Sequence, residues 1–161
     1  MFNFAIIGII LVPALVAAIA TIAVKKEDYR VARWMACGYF GILSMVGIVS
    51  IVEFLGADFP GPQWWWIRAV VTTAISVGLV FGLYRMIRWI LALGTIYVLV
   101  GAGFSLFNWI QSGFRFGSFH SEVFLQWHSL WFFLIPFLMN LAMAWVLWRM
   151  FRWASDGGSA S

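Results

Sequence analysis

Three stretches of this sequence share one pattern: YRVARW at residues 29–34, YRMIRW at 84–89 and WRMFRW at 148–153. Each has an aromatic residue, an arginine, two spacers, a second arginine and a tryptophan, and each adjoins a long apolar run. The apolar runs alternate so that all three stretches fall on the same side of a membrane. Because lysine and arginine are enriched on the cytoplasmic side of membrane proteins, these stretches predict how the chain crosses the bilayer.

The composition excludes a water-soluble fold. Of the 161 residues, 64% are hydrophobic and 10% are charged, whereas soluble domains carry about 25% charged residues. The net charge of +4 does not indicate nucleic-acid binding, because eight of the ten lysines and arginines lie beside apolar runs on one side. The single Cys37 lies within an apolar run, so we expect a small buried hydrophobic residue and no disulfide within the chain.

A transmembrane helix needs about 20 apolar residues, and five segments meet this requirement. They are residues 2–24, 31–55, 66–84, 89–110 and 128–148. The basic residues between them predict an N-terminus outside and a C-terminus in the cytoplasm, and tryptophans cluster near both ends of the segments, as they do at membrane interfaces. We therefore predict an all-α integral membrane protein, one domain over residues 1–153 that is a bundle of five transmembrane helices in a bacterial cytoplasmic membrane. Residues 154–161 are predicted to be a flexible tail.

Two connections carry predictions of their own. Residues 84–89 contain no Gly, Pro, Asn or Asp, but a straight helix over residues 66–110 would be about 67 Å long, more than twice the hydrocarbon core. We therefore expect a tight turn there. On the opposite side, the spacing of Phe119, Val123 and Trp127 predicts a short helix that lies in the membrane interface.

The repeated arginines are predicted to form a cytoplasmic rim. Two arginines three residues apart share one side of a helix, and their charged ends can reach anionic headgroups while the flanking rings stay in the interface. This pattern favours anchoring to membrane lipids, and the alternative is a docking surface for a partner subunit. The rim consists of Arg30, Arg33, Arg85, Arg88, Arg149 and Arg152.

Small residues recur at intervals of three or four within two of the apolar segments. Such residues let helix backbones approach closely in a bilayer, where the hydrophobic effect does not drive association. We expect them to pack mainly within this bundle, with an interface to another subunit as the alternative. They are Gly38, Gly41, Ser44 and Gly47 in the second segment and Ala74, Gly78 and Gly82 in the third.

The apolar segments hold few polar groups. The amide of Asn140 needs a partner in an apolar medium, and we expect a helix–helix hydrogen bond rather than a ligand contact. Near the outer ends, Glu53, His120, Glu122 and His128 are candidates for a polar cluster. On one helix the two histidines would be about 12 Å apart, too far to bind one metal ion. We predict no metal and no catalytic residue, and no cofactor beyond a possible bound lipid, quinone or pigment.

Three functions follow from these features. The first is a non-catalytic accessory or scaffold subunit of a larger membrane complex, whose partners are membrane lipids and other membrane subunits or further copies of itself. The alternative is a small homo-oligomeric channel or carrier, which needs an aligned polar lining. The third is a membrane enzyme that acts on lipid or quinone at the outer face.

Overall fold

The computed structural model describes residues 4–56, 64–115, 118–119 and 133–157. This part of the chain is almost entirely helical, as the sequence predicts. It contains the helices α1 (Phe4–Lys25), α2 (Tyr29–Gly56), α3 (Trp64–Tyr84), α4 (Arg88–Gly113) and α5 (Ile135–Ser155), and the strands β1 (Phe114–Arg115) and β2 (Ser118–Phe119).

Three of these helices are long and apolar enough to cross a membrane. The qualifying segments are Tyr29–Val52 in α2, Ile67–Tyr84 in α3 and Arg88–Gln111 in α4. Their outward faces carry large apolar side chains, such as Met45 at 70% exposure and Val100 at 66%. A soluble monomer rarely exposes apolar surface on this scale, so hydrocarbon is the natural surrounding for these helices.

The helices are arranged as a ring that differs from their order in the chain. α1 lies between α2 and α5, α2 also packs on α3, and α5 also packs on α4. α3 and α4 pack on each other much less, although only residues 85–87 separate them. The ring encloses a core of fully buried side chains that includes Tyr39, Phe40, Leu83 and Met143.

The same kind of three-residue turn joins α1 to α2, at residues 26–28, and α3 to α4, at residues 85–87. In the first turn the N–H of Asp28 donates to the carbonyl of Ala23 at 2.9 Å, and in the second the N–H of Ile87 donates to the carbonyl of Gly82 at 3.0 Å. This bond satisfies a carbonyl at the end of the helix and needs a left-handed residue in the turn. Glu27 (φ 59°) and Met86 (φ 54°) adopt that conformation, so the tight turn forms without glycine, at a cost of about 1–2 kcal/mol for each residue.

Two helices have recognisable starts. The carboxylate of Asp28 accepts a hydrogen bond from the N–H of Val31 at 3.0 Å, so Asp28 caps α2. α5 has a proline in its first turn. Backbone N–H groups in the first turn have no hydrogen-bond partner within the helix, so proline, which lacks this N–H, is tolerated there. At its other end α5 continues past the predicted limit at Trp148 as far as Ser155, because arginine is a good helix former and does not end a helix.

The segment after α4 differs from its prediction. Phe114 pairs with Phe119, and Arg115 with Ser118, in a two-stranded antiparallel ladder. Phe119 therefore belongs to a strand, and the predicted interfacial helix is wrong at this residue; Val123 and Trp127 lie outside the described residues. The sequence FRFGSF at residues 114–119 alternates aromatic with small or charged residues around a glycine, a pattern typical of a hairpin.

Candidate functional site

The three arginine-containing stretches meet at one end of the bundle. Tyr29 stacks on Trp153, with ring centroids 4.7 Å apart and planes 14° apart. Trp34 meets Tyr84 edge to face at 5.9 Å. The first contact joins residues 29–34 to residues 148–153, and the second joins residues 29–34 to residues 84–89. We call this surface, made by residues 25–34, 84–89 and 148–156, the basic end.

The basic end carries a high density of positive charge. It contains eight lysines and arginines and the three acids Glu27, Asp28 and Asp156, so its formal charge is +5. In structural terms the stretches begin α2, form the turn between α3 and α4, and complete α5. Arg85 lies in the turn and Arg88 is the first residue of α4, so the expectation that paired arginines share one side of a helix applies only to the other two pairs.

The arginines of the basic end differ in exposure. Those exposed to the surroundings are Arg30, Arg85, Arg88 and Arg152, whereas Arg33 and Arg149 are half-buried. The Nε atoms of both half-buried arginines are buried and have no hydrogen-bond partner among the described residues. Two of the exposed guanidinium groups lie over aromatic rings: that of Arg85 is 4.6 Å from the Phe81 ring and that of Arg152 is 5.7 Å from the Trp148 ring. Such cation–π contacts hold the guanidinium groups beside the rings.

Two of the predicted small residues lie at close helix contacts. A Cβ at Gly47 on α2 would overlap the hydroxyl of Thr73 on α3 and lie 3.2 Å from the Thr73 Cβ. A Cβ at Gly82 would overlap the side chain of Ile90 on α4, 2.8 Å from its Cβ. At Gly38 the nearest atom is Cγ1 of Val16 at 3.9 Å, an ordinary contact.

The other predicted glycines have open space in front of them. At Gly41 and Gly78 a Cβ would meet nothing within 4 Å among the described residues. Ala74, one turn before Gly78 on α3, is also exposed. The small residues of α3 are thus divided, with Gly82 packed against α4 and the pair Ala74 and Gly78 facing outward.

Asn140 lies at a contact between helices. The hydroxyl of the buried Tyr39 on α2 donates a hydrogen bond to Oδ1 of Asn140 on α5, at 3.0 Å. Gly101 on α4 also lies close, because a Cβ there would be only 3.4 Å from Nδ2 of Asn140. The amide therefore has a partner in the apolar interior, and three helices approach one another around it.

The hydroxyl groups of the helices are satisfied locally. The hydroxyls of Ser44, Thr73 and Thr95 each donate to the carbonyl four residues earlier, at 2.8, 2.7 and 2.8 Å. A serine or threonine bonded in this way needs no other partner in hydrocarbon. Thr73 is buried between helices, whereas Thr95 lines a groove on the outside of the bundle. These side chains do not form one polar stripe.

That groove lies between α4 and α5 and has a volume of about 560 Å³. Ala92 and Trp148 line one end of it, and Leu99 and Leu141 line the other. Neither the groove nor the role of Tyr39 was predicted from the sequence. The positions Leu141, Trp145 and Trp148, which recur at intervals of three and four, are the sequence signal that could have indicated such a surface.

The predicted outer cluster lies largely outside the described residues. The backbone of Glu53 lies in the last turn of α2, while His120, Glu122 and His128 fall outside the described residues. Among the described residues no group of three His, Cys, Asp or Glu side chains is placed to bind a metal ion.

Comparison with known protein families, curated proteins and solved structures finds no match to this chain. The function of this chain must therefore be inferred from its own surfaces, which include the basic end, the outward face of α3 and the groove between α4 and α5.

Proposed function

We propose that this chain is a non-catalytic accessory or scaffold subunit of a larger membrane protein complex. In this proposal five helices span a bacterial cytoplasmic membrane, with the N-terminus outside and the basic end in the cytoplasm. The charge distribution supports this orientation. The basic end has a formal charge of +5, whereas the opposite ends and connections carry Arg68, Arg115 and three acids, a formal charge of −1.

The observation that carries the proposal is the open face of α3. Ala74 and Gly78 lie one turn apart, and no described residue comes within 4 Å of a Cβ at Gly78. An exposed glycine inside a helix costs about 1 kcal/mol relative to alanine, and no contact with another described residue offsets this cost at Gly78. A small residue followed by another four positions later is the pattern that lets a second transmembrane helix approach closely. A partner helix on this face explains why a side chain is missing there.

The basic end offers a second surface. Its aromatic rings contact one another across α2, α3 and α5, so they hold these helix ends and their arginines in a common region. Exposed guanidinium groups beside rings are suited to anionic headgroups and to acidic segments of a partner subunit. Together the two surfaces allow one small protein to contact neighbours both laterally and at the cytoplasmic side.

The alternative functions have less support. A homo-oligomeric channel or carrier needs an aligned polar lining, yet Thr73 and Thr95 lie on different sides of the bundle and bond their own helices. An enzyme acting on lipid or quinone at the outer face would use Glu53, His120, Glu122 or His128, and the last three lie outside the described residues.

Gly78→Leu tests the proposal. Because the space at Gly78 is open, this variant should fold like the wild type, but its side chain should hold a partner helix away. The measurement is purification in mild detergent from the native membrane, followed by native mass spectrometry of the assembly. We expect Gly78→Leu to lose the copurifying subunits.

Two matched variants complete the test. Gly103→Leu makes the same change at an open, exposed position on α4 and should retain the assembly. Gly82→Leu should instead disrupt the bundle itself, because its side chain meets Ile90. If Gly78→Leu and Gly103→Leu retain the same subunits in the same amounts as the wild type, α3 is not the docking face. An assembly made solely of copies of this chain would favour the homo-oligomer.

A further inference from the structure

The groove between α4 and α5 leads toward two arginines. The helices are antiparallel, because Gly94 on α4 lies against Leu147 on α5 and Gly101 lies against Asn140. Ala92 and Trp148 therefore line one end of the groove, and Leu99 and Leu141 line the other. One helical turn beyond the first pair, on the same helix faces, come Arg88 on α4 and Arg152 on α5. Both arginines are exposed, so the apolar groove ends in two positive charges at the same level of the bundle.

The lining of the groove suits hydrocarbon. Apart from Thr95 its walls are alanine, leucine, isoleucine and tryptophan side chains, and the Thr95 hydroxyl already donates to the carbonyl of Leu91 at 2.8 Å. Trp148 lies at the basic end of the groove, with the guanidinium group of Arg152 at 5.7 Å from its ring. A tryptophan between apolar walls and a charged end is typical of the headgroup level of a membrane.

We propose that this groove binds one acyl chain of an anionic phospholipid, whose phosphate is held by Arg88 and Arg152. The acyl chain matches the apolar walls, and the phosphate matches guanidinium donors, which bind phosphate with directed, charge-assisted hydrogen bonds. The two charges at the end of the groove select an anionic lipid over a neutral one. The site needs no protein partner, so the lipid-binding proposal does not depend on the proposed role as a subunit.

Native mass spectrometry of the purified protein with dioleoyl-phosphatidylglycerol tests the headgroup contact. Each arginine near an anionic surface contributes about fivefold in affinity, so Arg88→Gln with Arg152→Gln should weaken binding by about 30-fold. The matched control is Arg30→Gln with Arg85→Gln, which removes two exposed charges from the same end, one on α2 and one whose guanidinium group lies over the Phe81 ring of α3. We expect less than about a threefold change for this control. Equal weakening in both double variants would show diffuse surface attraction and overturn the site.

Two further comparisons test the groove itself. Dioleoyl-phosphatidylcholine should bind at least tenfold more weakly than the anionic lipid, and equal binding of both would contradict selection by the arginines. Ala92→Phe should fill the groove and lower retention of the anionic lipid, whereas Ala18→Phe, at an exposed position on α1, should not. Circular dichroism and size-exclusion chromatography establish that both variants fold. Unchanged lipid retention in folded Ala92→Phe would exclude an acyl chain from the groove.

Discussion

Gly47→Ala should weaken the packing of α2 on α3. The new methyl group would overlap the Thr73 hydroxyl and lie 3.2 Å from the Thr73 Cβ and 3.7 Å from its Cα. That hydroxyl is held by a hydrogen bond of 2.7 Å to the carbonyl of Ala69, so either Thr73 leaves this bond or the helices move apart. Overpacking of this kind typically costs about 1–3 kcal/mol, while alanine in place of glycine recovers about 1 kcal/mol of helix propensity.

Gly41→Ala provides the reference for this measurement. It makes the same change on the same helix, but nothing among the described residues lies within 4 Å of the new methyl group. The propensity gain is common to both variants, so their difference in free energy of unfolding, about 1–3 kcal/mol, reports the steric clash alone.

Unfolding in mixed micelles with a rising fraction of SDS, followed by circular dichroism, measures both variants. A second change, Thr73→Ala, removes the hydroxyl and should restore at least about 1 kcal/mol in the Gly47→Ala background. Equal stability of the two alanine variants, or no recovery in the double variant, would refute the close contact between Gly47 and Thr73.

Two other predictions follow from the geometry. Tyr39→Phe removes the donor to Asn140 and should lower the free energy of unfolding in the same micelle assay by about 0.6 kcal/mol, the average for such bonds between transmembrane helices, and by at most about 1.7 kcal/mol; a wild-type value would mean that the bond contributes nothing. In a Cys37→Ala background, a cysteine at Ser118 should react with an impermeant reagent added outside intact cells, and one at Asp156 should react only after permeabilisation; external labelling at position 156 would overturn the proposed orientation.

The helix positions and the tight turn were accessible from the sequence for physical reasons. Apolar runs bounded by charge must be helical in hydrocarbon, because no water is present to satisfy the backbone. The length of residues 66–110 required a reversal near Arg85, and the turn occurs there. The strand pairing of residues 114–115 with 118–119 was missed because three apolar residues at helical spacing are weak evidence in a short mixed segment.

The packing partners were not accessible in the same way. The helices are apolar on all sides, so composition does not distinguish the face that meets another helix from the face that meets lipid. For this reason Gly47 and Gly78 look alike in the sequence, although one contacts Thr73 and the other faces open space. The partner of Asn140 is a tyrosine 101 residues away, a pairing that depends on the ring arrangement and not on local sequence.

The position of α5 in the ring determines when the fold can be completed during synthesis. Of the five described helices α5 leaves the ribosome last, yet it packs between the first helix and the fourth. Until α5 enters the membrane, α1 and α4 each lack a neighbour, and the hydroxyl of Tyr39 lacks its acceptor on Asn140. A chain truncated before residue 135 would thus present two uncovered helices to the insertion and quality-control machinery, and the arrival of α5 is the event that completes the ring.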